Sequence, residues 1–272
     1  MSSNDSLTHI ALWGPPRSGT TWLGQIFDSH PAVAYRYQPL FSYRFKSAVS
    51  LQSQPDAMMH FLSELAATDD DFVCQTTKRR EGLVPVFEKH TPTHLAFKEV
   101  RYLHLARHFL TALPESRAVG IIRNPCATMN SWLKTPREFR SEWDWRSEWR
   151  TAKSKNQERA EEYYGFDRWK WIAQEFLSLA SAFPERFTLI RYEDLVLSPI
   201  PVVTKIFHLY GLQLHAQTID FLKQSQSKEL DHPDSVFRNP DVKDRWQHEL
   251  PAEIRSVINA ECRGTCLEQF CQ

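Results

Sequence analysis

Short apolar runs alternate along this chain with stretches of helical period, and that alternation predicts strands and helices in turn. Thr8 to Trp13 (THIALW) is an apolar run ending in Gly14-Pro15-Pro16, the mark of a buried strand entering a loop. Thr20 to Ser29 sets Trp22, Leu23, Ile26 and Phe27 at helical spacing, with Pro31 as its stop. His94 to Lys98 (HLAFK) predicts a second strand, followed by a helix from about Tyr102 to Leu113. Arg117 to Ile122 (RAVGII) is the clearest buried strand, and Pro125 opens the helix after it. Phe187 to Arg191 (FTLIR) is another strand, with a helix from about Ile200 to Tyr210. The expected fold is α/β, a central, mainly parallel sheet flanked by helices, with a binding crevice at the carboxyl ends of its strands. Two regions fit the alternation poorly. Pro55 to Lys89 reads as helix and then irregular chain, and Arg137 to Arg186 as a charged, tryptophan-rich helical insertion. With no repeat or low-complexity tract, residues 1–272 are expected to form a single domain carrying both insertions.

Composition narrows the classes. Of 272 residues, 42% are hydrophobic and 24% charged, a globular balance. Lysine plus arginine equal aspartate plus glutamate at 33 each, so no general nucleic-acid or membrane surface is expected. Met1 to Thr8 is polar and does not read as a signal peptide, and no run approaches the roughly 18 apolar residues of a membrane span. Cys262, Cys266 and Cys271 cluster without zinc-ligand spacing, which predicts free thiols, no metal and a cytoplasmic setting.

The richest chemistry is at the first strand's end. A strand, Gly14-x-x-x-x-Gly19 and a helix form the layout of a phosphate-binding loop, where backbone N–H groups and the helix dipole face an anion. A nucleotide-triphosphatase loop needs lysine directly after the second glycine. Thr20 stands there, and the cation lies two residues before Gly19, at Arg17. Such a loop lacks the lysine of magnesium-dependent phosphoryl transfer but suits a 5′-phosphosulfate, whose bridging oxygen an arginine can neutralise. After the strand RAVGII come Arg123-Asn124-Pro125 and, eight residues past Arg123, Ser131. On a helix starting near Pro125, Ser131 lies roughly 9 Å along the axis. An arginine at the strand end and a hydroxyl on the next helix can then meet one phosphate from two sides.

Pro16-Arg17-Ser18-Gly19-Thr20-Thr21-Trp22, followed by Asp28-Ser29-His30-Pro31, closely resembles the first signature of sulfotransferases that use 3′-phosphoadenosine 5′-phosphosulfate (PAPS), and more their carbohydrate and tyrosylprotein branches than the phenol and steroid branch. The resemblance spans about Ile10 to Leu212 and implies a P-loop-like nucleotide-binding core. By it, Arg17, Ser18, Gly19, Thr20 and Thr21 would hold the 5′-phosphosulfate, and Arg123 with Ser131 the 3′-phosphate. Arg191-Tyr192-Glu193-Asp194-Leu195 resembles the segment whose tyrosine lies against the nucleotide, so Tyr192 and Trp22 are candidates for adenine contact. Lys243, Arg245 and Trp246 are candidates for a closing loop.

Sulfuryl transfer is an in-line displacement that needs cations on the leaving side and a base on the acceptor proton. Arg17 fills the first role, and Lys98 in Lys98-Glu99-Val100-Arg101 is the second candidate. The base departs from the resemblance. The carbohydrate and tyrosylprotein branches place a glutamate where this chain has Gln38, and the phenol and steroid branch a histidine where it has Val100. Glu99, expected at the rim of the crevice, is the first substitute, and His90, His94 and His104 are weaker ones. An acceptor needing little base assistance (an amine, guanidine or acidic phenol) is a third option, with Gln38 orienting it.

Glu142, Trp143, Asp144, Trp145, Glu148 and Trp149 interleave acids with indoles. They read either as packing of an amphipathic insertion or as a lid for a cationic or ring-bearing acceptor. The expected function is PAPS-dependent sulfuryl transfer to a hydroxyl, or else a nitrogen, of a soluble metabolite or glycan. The rivals are a kinase-like phosphoryl transferase and a catalytically inactive nucleotide-binding relative.

Overall fold

The structure is a computed structural model, which describes residues 7–227 and 244–272. Five strands, β1 (Thr8–Trp13), β2 (Val33–Tyr37), β3 (His94–Glu99), β4 (Arg117–Ile122) and β5 (Phe187–Arg191), form one sheet in the order β2-β3-β1-β4-β5, and every pairing is parallel. Period-two alternation sorts their side chains onto two faces. Ile10, Leu12, Ala96, Val119 and Ile121 enter one core cluster, and Ala11, Trp13, Leu95, Phe97, Ala118 and Ile122 the other. Both faces are therefore covered, which is why β1 and β4 read as almost continuous apolar runs.

On the first face pack α1 (Thr20–Asp28), α11 (Pro199–Leu209) and α12 (Ala216–Ser227). On the second pack α5 (Ala106–Ala112), α6 (Pro125–Leu133), α9 (Phe166–Ala182) and α14 (Ala252–Cys262). The chain continues from β5 directly into α10 (Tyr192–Leu197). The helix expected over Tyr102 to Leu113 begins as a single tight turn at Leu103–Leu105 before α5.

β2 was not expected from the sequence. Its Arg36 hides the pattern: the guanidinium donates to the Leu65 and Ala66 carbonyls at 2.8 and 2.6 Å, at the end of α2 (Pro55–Ala67). The rest of that insertion holds α3 (Asp71–Cys74) and α4 (Thr76–Arg80). Asp28, only 1% exposed at the end of α1, fastens it, receiving Arg79 at 2.6 Å and Lys89 at 2.9 Å.

Residues 137–186 contain α7 (Trp145–Thr151), α8 (Lys153–Asn156) and α9. Their tryptophans pack on the domain. Trp143 meets Phe139 edge-on at 5.6 Å, and Trp149 stacks on Phe166 at 5.9 Å. Two of the three interleaved acids bind local groups: Asp144 caps α7 through the Arg146 N–H, and Glu148 accepts from the Ser154 N–H and hydroxyl, while the exposed Glu142 lies 3.8 Å from Arg140.

Candidate active site

The carboxyl ends of β1, β2, β3 and β4 bring their following residues to one edge of the sheet. After β1 the chain enters the loop 14–19, in which Arg17 (φ 69°) and Gly19 (φ 88°) both adopt the left-handed conformation. The Ser18 N–H donates to the Pro15 carbonyl at 3.2 Å, and Leu23 N–H to the Gly19 carbonyl at 3.1 Å begins the α1 ladder. The amides that precede it belong to a helix's first turn, which has no intrahelical acceptors and favours an anion. Gly19 is required twice, for its backbone angle and for its neighbour. A Cβ there would lie 2.4 Å from Tyr192 Cδ2.

Arg123, at the end of β4, is 6% exposed and crosses to this loop, its Nη1 donating to the Arg17 carbonyl at 3.4 Å. Its guanidinium lies 4.7 Å from the centre of the Tyr192 ring, and its carbonyl accepts the Trp169 indole N–H at 3.1 Å. The next two residues explain themselves by helix chemistry. Asn124 Oδ1 accepts from the Cys126 and Ala127 N–H groups, and Pro125 occupies the first helical position. Two turns on, the Ser131 hydroxyl accepts from Arg17 Nε at 3.1 Å. The two arginines and the serine, drawn from two separate sequence segments, thus converge. Two buried polar atoms there, Ser18 Oγ and Arg123 Nε, have no hydrogen-bond partner among the described residues, as groups built to meet phosphate oxygens would.

Trp22 and Tyr192 meet edge to face at 6.3 Å, and the Trp22 indole N–H is held by Ser225 Oγ at 3.0 Å. Beyond the gap in the described residues, Arg245 precedes α13 (Trp246–Glu249). Glu249 fastens that helix to α6 through Asn130 Nδ2 at 2.7 Å and Lys134 Nζ at 3.1 Å. Lys243 lies outside the described residues.

Lys98 is 2% exposed and points toward α1, with Nζ 3.4 Å from Thr21 Oγ1 and 4.4 Å from the centre of the Tyr37 ring. Glu99 does not sit at a rim. As the next residue of the strand it points to the opposite face and is fully enclosed. Its Oε1 accepts the Leu40 N–H at 2.7 Å, and its Oε2 has no hydrogen-bond partner among the described residues. Burial pushes its carboxyl up to about 8, against the pull of the Leu40 N–H, Lys98 and Arg101. Gln38, 8% exposed, follows β2 in a left-handed conformation (φ 43°), its N–H donating to the Lys98 carbonyl at 2.9 Å.

The histidines lie elsewhere. His94 opens β3, at the other end of the strand from Lys98, where its ring bonds the Tyr210 carbonyl at 2.9 Å. The exposed His90 donates its N–H to the Pro31 carbonyl, near that same end. His104 stacks near Tyr163 at 6.5 Å on the second face.

Beside Lys98, Tyr37, Phe72 and Phe41 form an aromatic row, with centroids 5.5 and 5.9 Å apart. Lys78 Nζ lies 5.6 Å from the Tyr37 ring and the Arg101 guanidinium 3.8 Å from the Phe41 ring. Sequence reading passed over this row because Phe72 comes from the distant insertion. It also passed over Glu138, whose Oε2 lies 3.8 Å from Arg17 Nη1.

Known proteins similar to this chain include sulfotransferases. Carbohydrate sulfotransferase 1 of Danio rerio is 22% identical, over 94% of this chain and 76% of its own length. Carbohydrate sulfotransferase 3 of Rattus norvegicus is 21% identical, over 96% of this chain and 67% of its own. Mouse sulfotransferase SULT7A1 complexed with PAP has a TM-score of 0.56 at 14% identity, covering 100% of this chain and 91% of that one. The sulfotransferase domain from the curacin biosynthetic pathway has a TM-score of 0.51 at 16% identity, covering 94% and 97%. At these identities the two structures speak for the fold. A model of the sulfotransferase family matches residues 10–216, from β1 through the phosphate loop and β5 to α12, and the chain belongs to that family.

Proposed function

We propose that this enzyme transfers the sulfuryl group of PAPS to a hydroxyl, or secondarily a nitrogen, of a ring-bearing small molecule or glycan. The observation that carries the reading is the convergence of Arg17, Arg123 and Ser131 on one loop, with Lys98 beside it at Thr21. An acceptor atom attacks sulfur, the bond from sulfur to the bridging oxygen breaks, and the leaving nucleotide keeps the electron pair. Arg17 and Lys98 neutralise that developing charge, while Ser18, Gly19, Thr20 and Thr21 cradle the 5′-phosphate. Arg123 and Ser131 take the 3′-phosphate, and Trp22 and Tyr192 flank the base.

Glu99 is a positioning residue in this reading. Enclosed and carrying its proton near neutral pH, it fixes the turn from Gln38 to Leu40 through the Leu40 N–H. Gln38 orients the acceptor without removing its proton. That suits acceptors whose attacking group is already acidic or uncharged and nucleophilic.

The row of Tyr37, Phe72 and Phe41 supports a ring in the acceptor. Lys78 and Lys98 beside Tyr37 favour a neutral or anionic ring over a cationic one, while the Arg101 charge is met by Glu162 at 2.9 Å. Among the described residues no helix is long and apolar enough to cross a membrane. A cytoplasmic setting with a soluble metabolite as acceptor completes the proposal, supported by cysteines that stand as thiols.

The test is transfer of sulfur label from PAPS into a metabolite extract, run with and without a magnesium chelator. Label transfer that survives chelation is expected. Magnesium-dependent turnover of ATP instead would make the chain a phosphoryl transferase, and binding of the bisphosphate product without transfer would make it an inactive relative.

A further inference from the structure

A carboxylate beside an anion-binding arginine is a cost that needs a reason. Glu138 presents one, with Oε2 at 3.8 Å from Arg17 Nη1 and side-chain exposures of 26% and 13%. The placement is held from the backbone. Glu138 N–H donates to the Thr135 carbonyl at 2.9 Å, and its own carbonyl accepts the Trp132 indole N–H at 3.4 Å. Thr135 Oγ1 in turn donates to the Ser131 carbonyl at 2.7 Å. One structural unit, α6 and the turn after it, therefore supplies both groups that address the Arg17 side chain: the Ser131 hydroxyl at Nε and the Glu138 carboxylate at Nη1. The Oε2 atom is buried and makes no hydrogen bond among the described residues, and at 3.8 Å its interaction with Arg17 is one of charge and not of directed bonding.

We propose that Glu138 is a positioning and charge-balancing residue for Arg17. It steers the guanidinium from the side opposite Ser131 and takes up part of its charge, which weakens the grip on the bisphosphate product and lets it leave. This inference rests on the assignment of Arg17 to the donor's 5′-phosphate.

The test measures binding of adenosine 3′,5′-bisphosphate by calorimetry to the parent and to Glu138→Gln, Glu138→Ala and Glu138→Asp. Both neutral variants are expected to bind about two- to fivefold more tightly at low salt, the scale of a partly exposed charge contact. The gain should shrink at high salt by screening. Glu138→Asp, which keeps the charge, should stay near the parent. Neutral variants that unfold at the parent's temperature and bind no more tightly would overturn the proposal. So would a gain for Glu138→Asp as large as for Glu138→Gln, which would trace the effect to packing. Inorganic pyrophosphate is the second probe, because it reads the charge at Arg17 without the nucleoside. A parent that binds pyrophosphate but not the bisphosphate would remove the nucleotide reading, and the Glu138 comparison would then be decided on pyrophosphate.

Discussion

The Tyr192 ring closes on Gly19 so tightly that a methyl group added there would lie 2.4 Å from Cδ2. The phosphate loop is thereby braced by the segment after β5, although the two are far apart in sequence. Gly19→Ala would meet both that ring and a backbone angle of φ 88°. The expected loss is about 1–3 kcal/mol of stability, read from denaturant unfolding. Adding Tyr192→Ala should return part of it. If the double variant is no more stable than Gly19→Ala, the ring is not the wedge.

Arg123 and Ser131 should separate by magnitude. Arg123→Ala removes a charged, nearly enclosed donor and is expected to weaken binding of adenosine 3′,5′-bisphosphate by about 1.5–3 kcal/mol. Ser131→Ala removes a neutral hydroxyl and should cost about 0.5–1.5 kcal/mol. Arg123→Lys should recover only part of the loss, because a point charge lacks the planar fork. Calorimetry ranks all three, and an unchanged affinity in Arg123→Ala would take that residue out of the site.

Glu99 gives a pH dependence of definite sign. Its carboxyl is raised from 4.5 to about 8, so between those values the folded chain holds a proton that the unfolded chain has released. Stability is fully present below the lower value and falls as pH rises through the window, at no more than about 1.4 kcal/mol per pH unit. Glu99→Gln keeps an acceptor for the Leu40 N–H and should flatten that part of the stability profile while retaining turnover. A well-folded Glu99→Gln that has lost turnover entirely would restore Glu99 as the base.

Gln38→Glu tests the acceptor side from the other direction. A carboxylate at this place supplies the missing proton acceptor, and turnover on plain alcohols is expected to rise by about 100-fold, the low end of the usual range for general-base assistance. The gain should vanish as pH falls below the new carboxyl's titration. Equal rates for parent and variant across a panel of alcohols would show that proton removal does not limit this enzyme.

Where strand end, cap and following helix are contiguous, the local structure could be read directly. Gly14 to Trp22 and Arg123 to Ser131 each hold that sequence of features in one short stretch, and the structure brings Arg17, Arg123 and Ser131 together. β2 escaped because Arg36 interrupts its apolar pattern, and only the fold reveals that the Leu65 and Ala66 carbonyls satisfy it. Glu99 misled for a related reason. Its position in the strand is legible, but whether such a residue opens to solvent depends on what lies over it, here the turn at Leu40. Glu138 and Phe72 lie in the insertions, where no local period announces an approach to Arg17 or Tyr37. Tertiary contact alone brings them in.

The clamp on Asp28 has a bearing on how this enzyme can be re-engineered. Its carboxylate ends the helix that begins at the loop 14–19, and its two cations, Arg79 and Lys89, lie in the later part of the insertion that delivers Phe72 to Tyr37. On the proposed reading, donor grip and acceptor choice are therefore inherited together. A chimera that transplants the insertion from a relative must bring a matching residue 28, or leave a buried charge unanswered at the foot of the donor helix.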